Sequence, residues 1–224
     1  LGCSYDRQLD TEKGDVKGIM QQILSDQISD FTSIYDEDVE LVSISRPGSP
    51  SLERFANDLF AARRVLELRW QQPALNADLT KKHIDSTVGN AHDSSYLTDE
   101  ITLINEVLHE LLGCEEIGVR VTTLSAPMCP RFHIDAVVCR MLVTIGGPGT
   151  DWIANDDVDM SILANRDSEE IPIKLGREVK QFNSNSMSLL KGGVWQNGFD
   201  GVVHRSPHQK DQRLLLSFDP IFTS

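Results

Sequence analysis

The sequence predicts an α+β protein, a double-stranded β-helix (a cupin-like jelly roll) with an N-terminal helical layer packed outside it. Two observations carry this expectation. Apolar residues recur at helical spacing up to about residue 115 and at strand spacing after it. The second half is also cut into many short runs by turn residues, as in a sandwich or barrel with helices on its outside. The expected organisation is a single domain over 1–224, mainly helical over 1–115, with the β-helix core over 116–224.

In the first half, residues 15–29 carry Ile19, Ile23 and Ile28 at loosely helical intervals, and residues 39–45 alternate like a strand. Ser49-Pro50 offers an N-cap followed by proline at the first helical position, and Leu52, Phe55, Leu59, Ala62 and Leu66 continue one face. A further helix is expected after Thr98, through Ile101, Ile104, Leu108 and Leu111, stopping at Gly113. Residues 76–97 are polar and turn-rich and read as a long loop with a helical turn. In the second half, residues 119–124 alternate, and residues 132–145 form a long β-branched apolar run that Gly146-Gly147-Pro148-Gly149 breaks. Shorter strands are expected at 171–175, 187–190, 201–204 and 213–219.

Composition narrows the function. Apolar residues are 40% and charged residues 25%, which is ordinary for a globular chain and unlike a disordered one. The formal charge of −13, from 21 basic and 34 acidic residues, repels phosphate backbones, so no nucleic-acid partner is expected. No apolar run approaches the roughly 20 residues needed to cross a bilayer, so no membrane association is expected. Leu1-Gly2-Cys3 resembles the end of a lipoprotein signal by chance, having no apolar segment before it, and the missing initiator Met suggests a trimmed start. Cys3, Cys114, Cys129 and Cys139 form no CxxC pair, which favours a reducing compartment and a cytoplasmic location.

His133-Ile134-Asp135 places two metal-capable side chains two apart on an expected strand, hence on one face, with Val137, Cys139 and Met141 following on that face. His204, 71 residues on and just before the last strand, supplies a third group. Two imidazoles and one carboxylate on one side of a metal leave positions open, an arrangement that suits non-haem Fe(II). The tripeptide alone is weak, because His83-Ile84-Asp85 repeats it in a polar stretch that reads as surface. Arg213 shares a face of the last strand with Leu215 and Ser217. There it either clamps a carboxylate through two parallel hydrogen bonds or sits in a surface ion pair. Cys139 has the parity to join the site, although a buried inert thiol is the commoner outcome. No P-loop, nucleophile elbow or dinucleotide fingerprint is present.

Two resemblances meet at these residues. An HxD, a distal His and an Arg near the chain end resemble the Fe(II)- and 2-oxoglutarate-dependent oxygenase superfamily over roughly residues 116–224. More specifically, Pro130-Arg131-Phe132-His133-Ile134-Asp135, Gly147-Pro148-Gly149-Thr150-Asp151-Trp152, Leu190-Lys191-Gly192, Val203-His204-Arg205-Ser206-Pro207 and Arg213-Leu214-Leu215-Leu216 are similar to an uncharacterised bacterial family, domain of unknown function eighteen twenty-six. The first resemblance implies Fe(II) on His133, Asp135 and His204, with Arg213 binding the distal carboxylate of 2-oxoglutarate. It implies a dioxygenase that hydroxylates a small-molecule or protein substrate which the sequence does not name. Arg213 comes one residue earlier than the commonest spacing, and Arg205-Ser206-Pro207 replaces the usual residues after the distal His. The second implies an alternative, since its members lie beside genes for zinc-handling GTPases: a non-enzymatic zinc-binding or zinc-homeostasis protein using the same three residues for Zn(II). A metal-dependent hydrolase or isomerase is a weaker rival, because no dedicated base is visible. A lid over the site is expected from residues 76–97 or 153–170.

Overall fold

The helical and strand-forming halves meet on one large sheet in the computed structural model, which describes residues 19–88, 94–165, 167–195, 199–208 and 211–222. In chain order the strands are β1 (Gln21–Ser25), β2 (Val39–Ile44), β3 (Glu67–Pro73), β4 (Glu116–Leu124), β5 (Cys139–Ile145), β6 (Asp151–Ile153), β7 (Lys180–Gln181), β8 (Met187–Lys191), β9 (Val203–Arg205) and β10 (Arg213–Ile221). The helices are α1 (Pro50–Ala61), α2 (Ala77–Val88), α3 (Ser95–Leu112) and the short α4 (Met160–Ala164). Seven strands form one sheet in the order β1-β2-β8-β5-β10-β4-β3, and three form a smaller one in the order β7-β6-β9. The architecture is mixed α+β around a large sheet. No helix among the described residues is long and apolar enough to cross a membrane.

Strand alternation divides the interior into layers. On β10, Leu214, Leu216 and Phe218 point to one face, where they join Phe55 and Leu59 of α1, Ile84 of α2 and Ile101, Ile104 and Leu108 of α3 in the main core. Leu215 points to the other face and meets Leu41, Leu142, Leu190, Trp152 and Phe182 in a second core between the two sheets. A third cluster, Phe132, Ile153, Val158 and Val203, lies on the far side of the small sheet. Each fully buried Leu, Ile or Phe contributes about 1.5–3 kcal/mol relative to exposure, so these stripes fix which face of each strand looks inward.

Local signals act where the sequence places them. Ser49 caps α1 by accepting from the Leu52 amide, with Pro50 in the first turn. α3 ends at Gly113, whose φ of 66° a side chain rarely adopts.

Other elements differ from expectation. Residues 19–29 form no α-helix: β1 pairs in parallel with β2, and a 3-10 helix follows at Ile28–Tyr35, while residues 15–18 lie outside the described set. Sheet pairing overrides a weak helical pattern there. Residues 77–88 are not loop but α2, whose buried stripe Thr80, Ile84, Val88 is disguised by a polar first member. α3 begins at Ser95, four residues earlier than expected. The long run 132–145 is broken: β5 starts only at Cys139, and His133 makes an isolated bridge. Residues 171–175 form no strand, only a bridge from Ile173 to Val158. The N-terminal part is more than an outer helical layer, because β1, β2 and β3 enter the large sheet and supply both its edges.

Candidate metal centre

The HxD segment is held beside β9 by its backbone. His133 and His204 exchange both amide-to-carbonyl hydrogen bonds, each 3.0 Å, which makes them directly opposed. On its other side His204 is opposed by Trp152 of β6. The chain then bends so that the Gly193 amide donates to the Asp135 carbonyl at 2.8 Å. Gly201 makes this approach possible: a Cβ there would lie 2.5 Å from Ile134 Cγ2, and its φ is +93°.

The three side chains converge. One ligand atom from each of His133, Asp135 and His204 lies within 4.8 Å of the others, so the group can hold a metal ion. Asp135 Oδ2 is 3.1 Å from His204 Nε2, and Oδ1 is 3.6 Å from His133 Nε2. The imidazole centroids are 4.6 Å apart with an interplanar angle of 49°. His204 is buried, while His133 and Asp135 are half-buried, so the centre opens to one side.

Surrounding groups fix how these ligands present themselves. His133 Nδ1 lies 2.9 Å from the Arg131 carbonyl, and His204 Nδ1 lies 3.0 Å from the Val202 carbonyl. A carbonyl only accepts, so each Nδ1 carries the proton and each Nε2 keeps its lone pair for the centre. Arg140 donates to Asp135 Oδ2 at 2.5 Å and binds Asp219 of β10 through two parallel bonds of 2.6 and 2.8 Å. Burial by itself raises the Asp135 carboxyl. With no metal in place and a second proton on each Nε2, hydrogen bonds from His133 and His204, together with the charges of His204 and Arg140, outweigh it and hold the group well below the usual carboxylate range; a metal would take the place of those protons. The bond to Asp135 conversely raises His133 against the opposing effect of burial.

Arg213 lies in the same inter-sheet space. It is 3% exposed, which excludes a surface ion pair. Its contacts are neutral acceptors at long range: the Pro148 carbonyl at 3.4 Å, Thr150 Oγ1 at 3.5 Å and Ser206 Oγ at 3.1 Å. Among the described residues it forms no salt bridge, and burial pushes it down to about 10, with only the charge of Asp151 opposing. Ser206 and Thr150 each lie two residues from the opposed pair His204 and Trp152, so Arg213 sits one pleat from the centre. Gly147 and Gly149 leave room for it, since a Cβ on Gly147 would fall 2.7 Å from Arg213 Cβ and one on Gly149 would fall 2.1 Å from the Phe182 carbonyl.

His133, Asp135, His204 and Arg213 are thus brought together, and other candidates are not. His83 stacks on Trp70 at 5.0 Å, and Asp85 pairs with Lys81, all on α2 and β3. Because α2 packs into the helix-side core, residues 77–88 do not cover the centre. Cys139 is buried in that same core, on the opposite face of the large sheet, and burial pushes its thiol up to about 12. The bend at 136–138 shifts the parity of the strand, so Arg140, not Cys139, faces Asp135. Arg140 is the residue that the sequence reading missed. Its signal was a lone charge inside the apolar run Cys139-Arg140-Met141-Leu142-Val143. A separate pocket of about 460 Å³ lies beyond Phe132 and Arg205, and none of the three candidate ligands lines it.

The comparisons with known proteins agree with this picture at the level of fold. Among the curated proteins, no significant sequence match is found. The dioxygenase for auxin oxidation 1 from Arabidopsis thaliana, solved as a binary complex with 2-oxoglutarate, superposes with a TM-score of 0.56 at 12% identity, covering 92% of this chain and 94% of that one. The dioxygenase for auxin oxidation of rice superposes with a TM-score of 0.50 at 12% identity, covering 90% and 83%. A sequence profile for "Protein of unknown function (DUF1826)" matches residues 25–219. With nearly its whole length matched, the chain belongs to the DUF1826 family.

Proposed function

We propose that the protein is a non-haem Fe(II)- and 2-oxoglutarate-dependent dioxygenase on a jelly-roll scaffold. The observation that carries this reading is Arg213, a buried guanidinium without a carboxylate partner among the described residues, one pleat from a His/Asp/His centre. An unpaired buried charge costs several kcal/mol, and a ligand carboxylate would offset that cost. Two imidazoles and one carboxylate with open positions suit Fe(II). Moving two residues along an extended chain covers about 7 Å, a span comparable to a five-carbon keto diacid reaching from the centre to Arg213. The shared fold of a dioxygenase solved with 2-oxoglutarate supports the same reading.

Bound Fe(II) would supply dioxygen chemistry in which one oxygen atom of O2 enters succinate as 2-oxoglutarate loses carbon dioxide and the other enters a substrate C–H bond as a hydroxyl. The chain's own residues bind, orient and exclude water. His133, Asp135 and His204 would hold the ion, with the imidazoles oriented by the Arg131 and Val202 carbonyls and Asp135 by Arg140. Arg213 would clamp the far carboxylate beside Thr150 and Ser206. Leu142, Trp152, Leu190 and Leu215 keep the space between the sheets dry.

Anaerobic protein loaded with Fe(II) should show a weak visible charge-transfer band when 2-oxoglutarate is added, and admitting oxygen should then yield succinate slowly even without substrate. Absence of both, together with tight zinc binding, would replace this reading with a zinc-binding protein, which the same donor set permits.

A further inference from the structure

We infer that the primary substrate is a small molecule bearing a carboxylate or phosphate, held by Arg69 and Arg120 on the open face of the large sheet. The inference rests on the oxygenase reading for what happens to that molecule, and not for its binding.

Arg69 on β3 stands directly opposite Arg120 on β4, and Arg120 directly opposite Ser217 on β10. Opposed residues share a face, so all three lie on the face that carries Arg213 and Leu215. Like charges directly opposed across strands are destabilising. The chain has 34 acidic residues to set against 21 basic ones, yet among the described residues neither guanidinium is in a salt bridge. Among the described residues, the polar contact of the Arg120 guanidinium is a long 3.9 Å one to the Met128 sulfur.

On the next rung Gln71, Gly118 and Asp219 are in register. These residues, with Arg69, Arg120 and Ile221, line a pocket of about 400 Å³, a size that takes a small organic molecule. Gly118 contributes no side chain, which keeps the floor low. Asp219 closes the pocket toward the metal centre, and its charge is already met by both arms of Arg140, whose remaining nitrogen holds Asp135. The pocket and the centre are therefore joined through one guanidinium. Two free planar forks above a neutralised floor match an oxyanion, which each can bind through two parallel hydrogen bonds. The larger pocket near Phe132 lacks this character: its Arg205 is held by Asp151 and stacks 4.3 Å over Phe132, and Asp167, Glu169 and Glu170 line it.

The test titrates benzoate and phenyl phosphate separately into metal-loaded protein containing saturating 2-oxoglutarate, by calorimetry. At least one probe should bind, and the stronger of the two identifies the anion class. Arg69→Gln and Arg120→Gln should each weaken it on the order of tenfold, and the double variant more. Arg→Lys at either position should recover part of the loss. Unchanged binding in the double variant overturns the inference, as does failure of both probes to bind the unaltered protein at millimolar concentration. Loss of probe binding in Arg213→Ala with full retention in the double variant also overturns it. Failure of the unaltered protein to bind 2-oxoglutarate would remove the oxygenase reading alone, and loss of the probe in the double variant would still establish the anion pocket.

Discussion

His83-Ile84-Asp85 and His133-Ile134-Asp135 present the same three side chains in the same order, the first on a helix and the second on an extended segment. On α2, residues two apart are separated by about 200° around the axis, so the histidine and the aspartate cannot share a ligand. His83 instead stacks on Trp70, and Asp85 accepts from Ser94 at 2.7 Å and pairs with Lys81 one turn earlier. Beside β9 the same two residues fall on one side and meet His204. The isoleucines reverse roles as well: Ile84 is fully buried in the helix-side core, whereas Ile134 packs against the backbone at Gly201. Backbone period, not the tripeptide, brings three potential metal ligands together.

Exchanging alanine into the two triplets breaks this comparison most directly. His133→Ala, Asp135→Ala or His204→Ala should each abolish stoichiometric metal binding, with the thermal unfolding transition retained. His83→Ala and Asp85→Ala should leave metal content unchanged. Metal analysis of the five proteins decides it, and equal loss from both triplets would remove the distinction between them.

Arg213 carries the comparison past the ligands to the proposed co-substrate. Under the proposed clamp, Arg213→Ala would remove one partner of a charge-assisted pair in a desolvated pocket, a loss of about 2–5 kcal/mol. This corresponds to a roughly thirtyfold to several-thousandfold weaker affinity for 2-oxoglutarate. Metal affinity should barely move, and Arg213→Lys should recover only part of the loss. Calorimetric titration of 2-oxoglutarate checks all three, and unchanged affinity in the alanine variant rules out the clamp.

Arg140 gives a smaller and sharper contrast. Asp85 has a flexible lysine partner at the surface, whereas Asp135 has a guanidinium fixed by two bonds to Asp219. Arg140→Gln should cost roughly 10–100-fold in metal affinity by freeing Asp135, measured by competition with a chromophoric chelator. Asp219→Asn should weaken metal binding in the same direction by less, since it acts only through Arg140.

The smallest effect belongs to the helical triplet itself. The Lys81 and Asp85 pair is solvent-screened, so Asp85→Ala should shift the melting temperature only slightly, and added salt should erase the difference. A large, salt-resistant loss would show that this triplet is more than a helical surface feature.

Much of the site was legible because its signals are short-range. Alternation along Arg213-Leu214-Leu215-Leu216-Ser217-Phe218 assigns each side chain to a face, and the structure keeps that assignment. Ser49-Pro50 and Gly113 mark helix ends through local hydrogen bonding and a left-handed φ. The likeness of the HxD, distal His and terminal Arg segments to a family pattern named the four residues that the fold brings together. Features that depend on distant partners were not legible. β1 looked helical because its parallel pairing with β2 leaves no mark in five residues. α2 was hidden because Thr80 occupies a buried position through Gln72, whose side chain donates to it at 2.8 Å. Counting parity from His133 let Cys139 face the centre, and the bend at 136–138 gave that place to Arg140. By itself the sequence determined which residues carry donors and charge, and which face of a regular element each occupies, because those properties repeat over a few residues. Only the tertiary structure decided which donors meet and which charge stays unpaired. It set His133 opposite His204 across 71 residues, left Arg213 among neutral acceptors, and put Arg69 against Arg120, because strand pairing and desolvation depend on chain segments far apart in sequence.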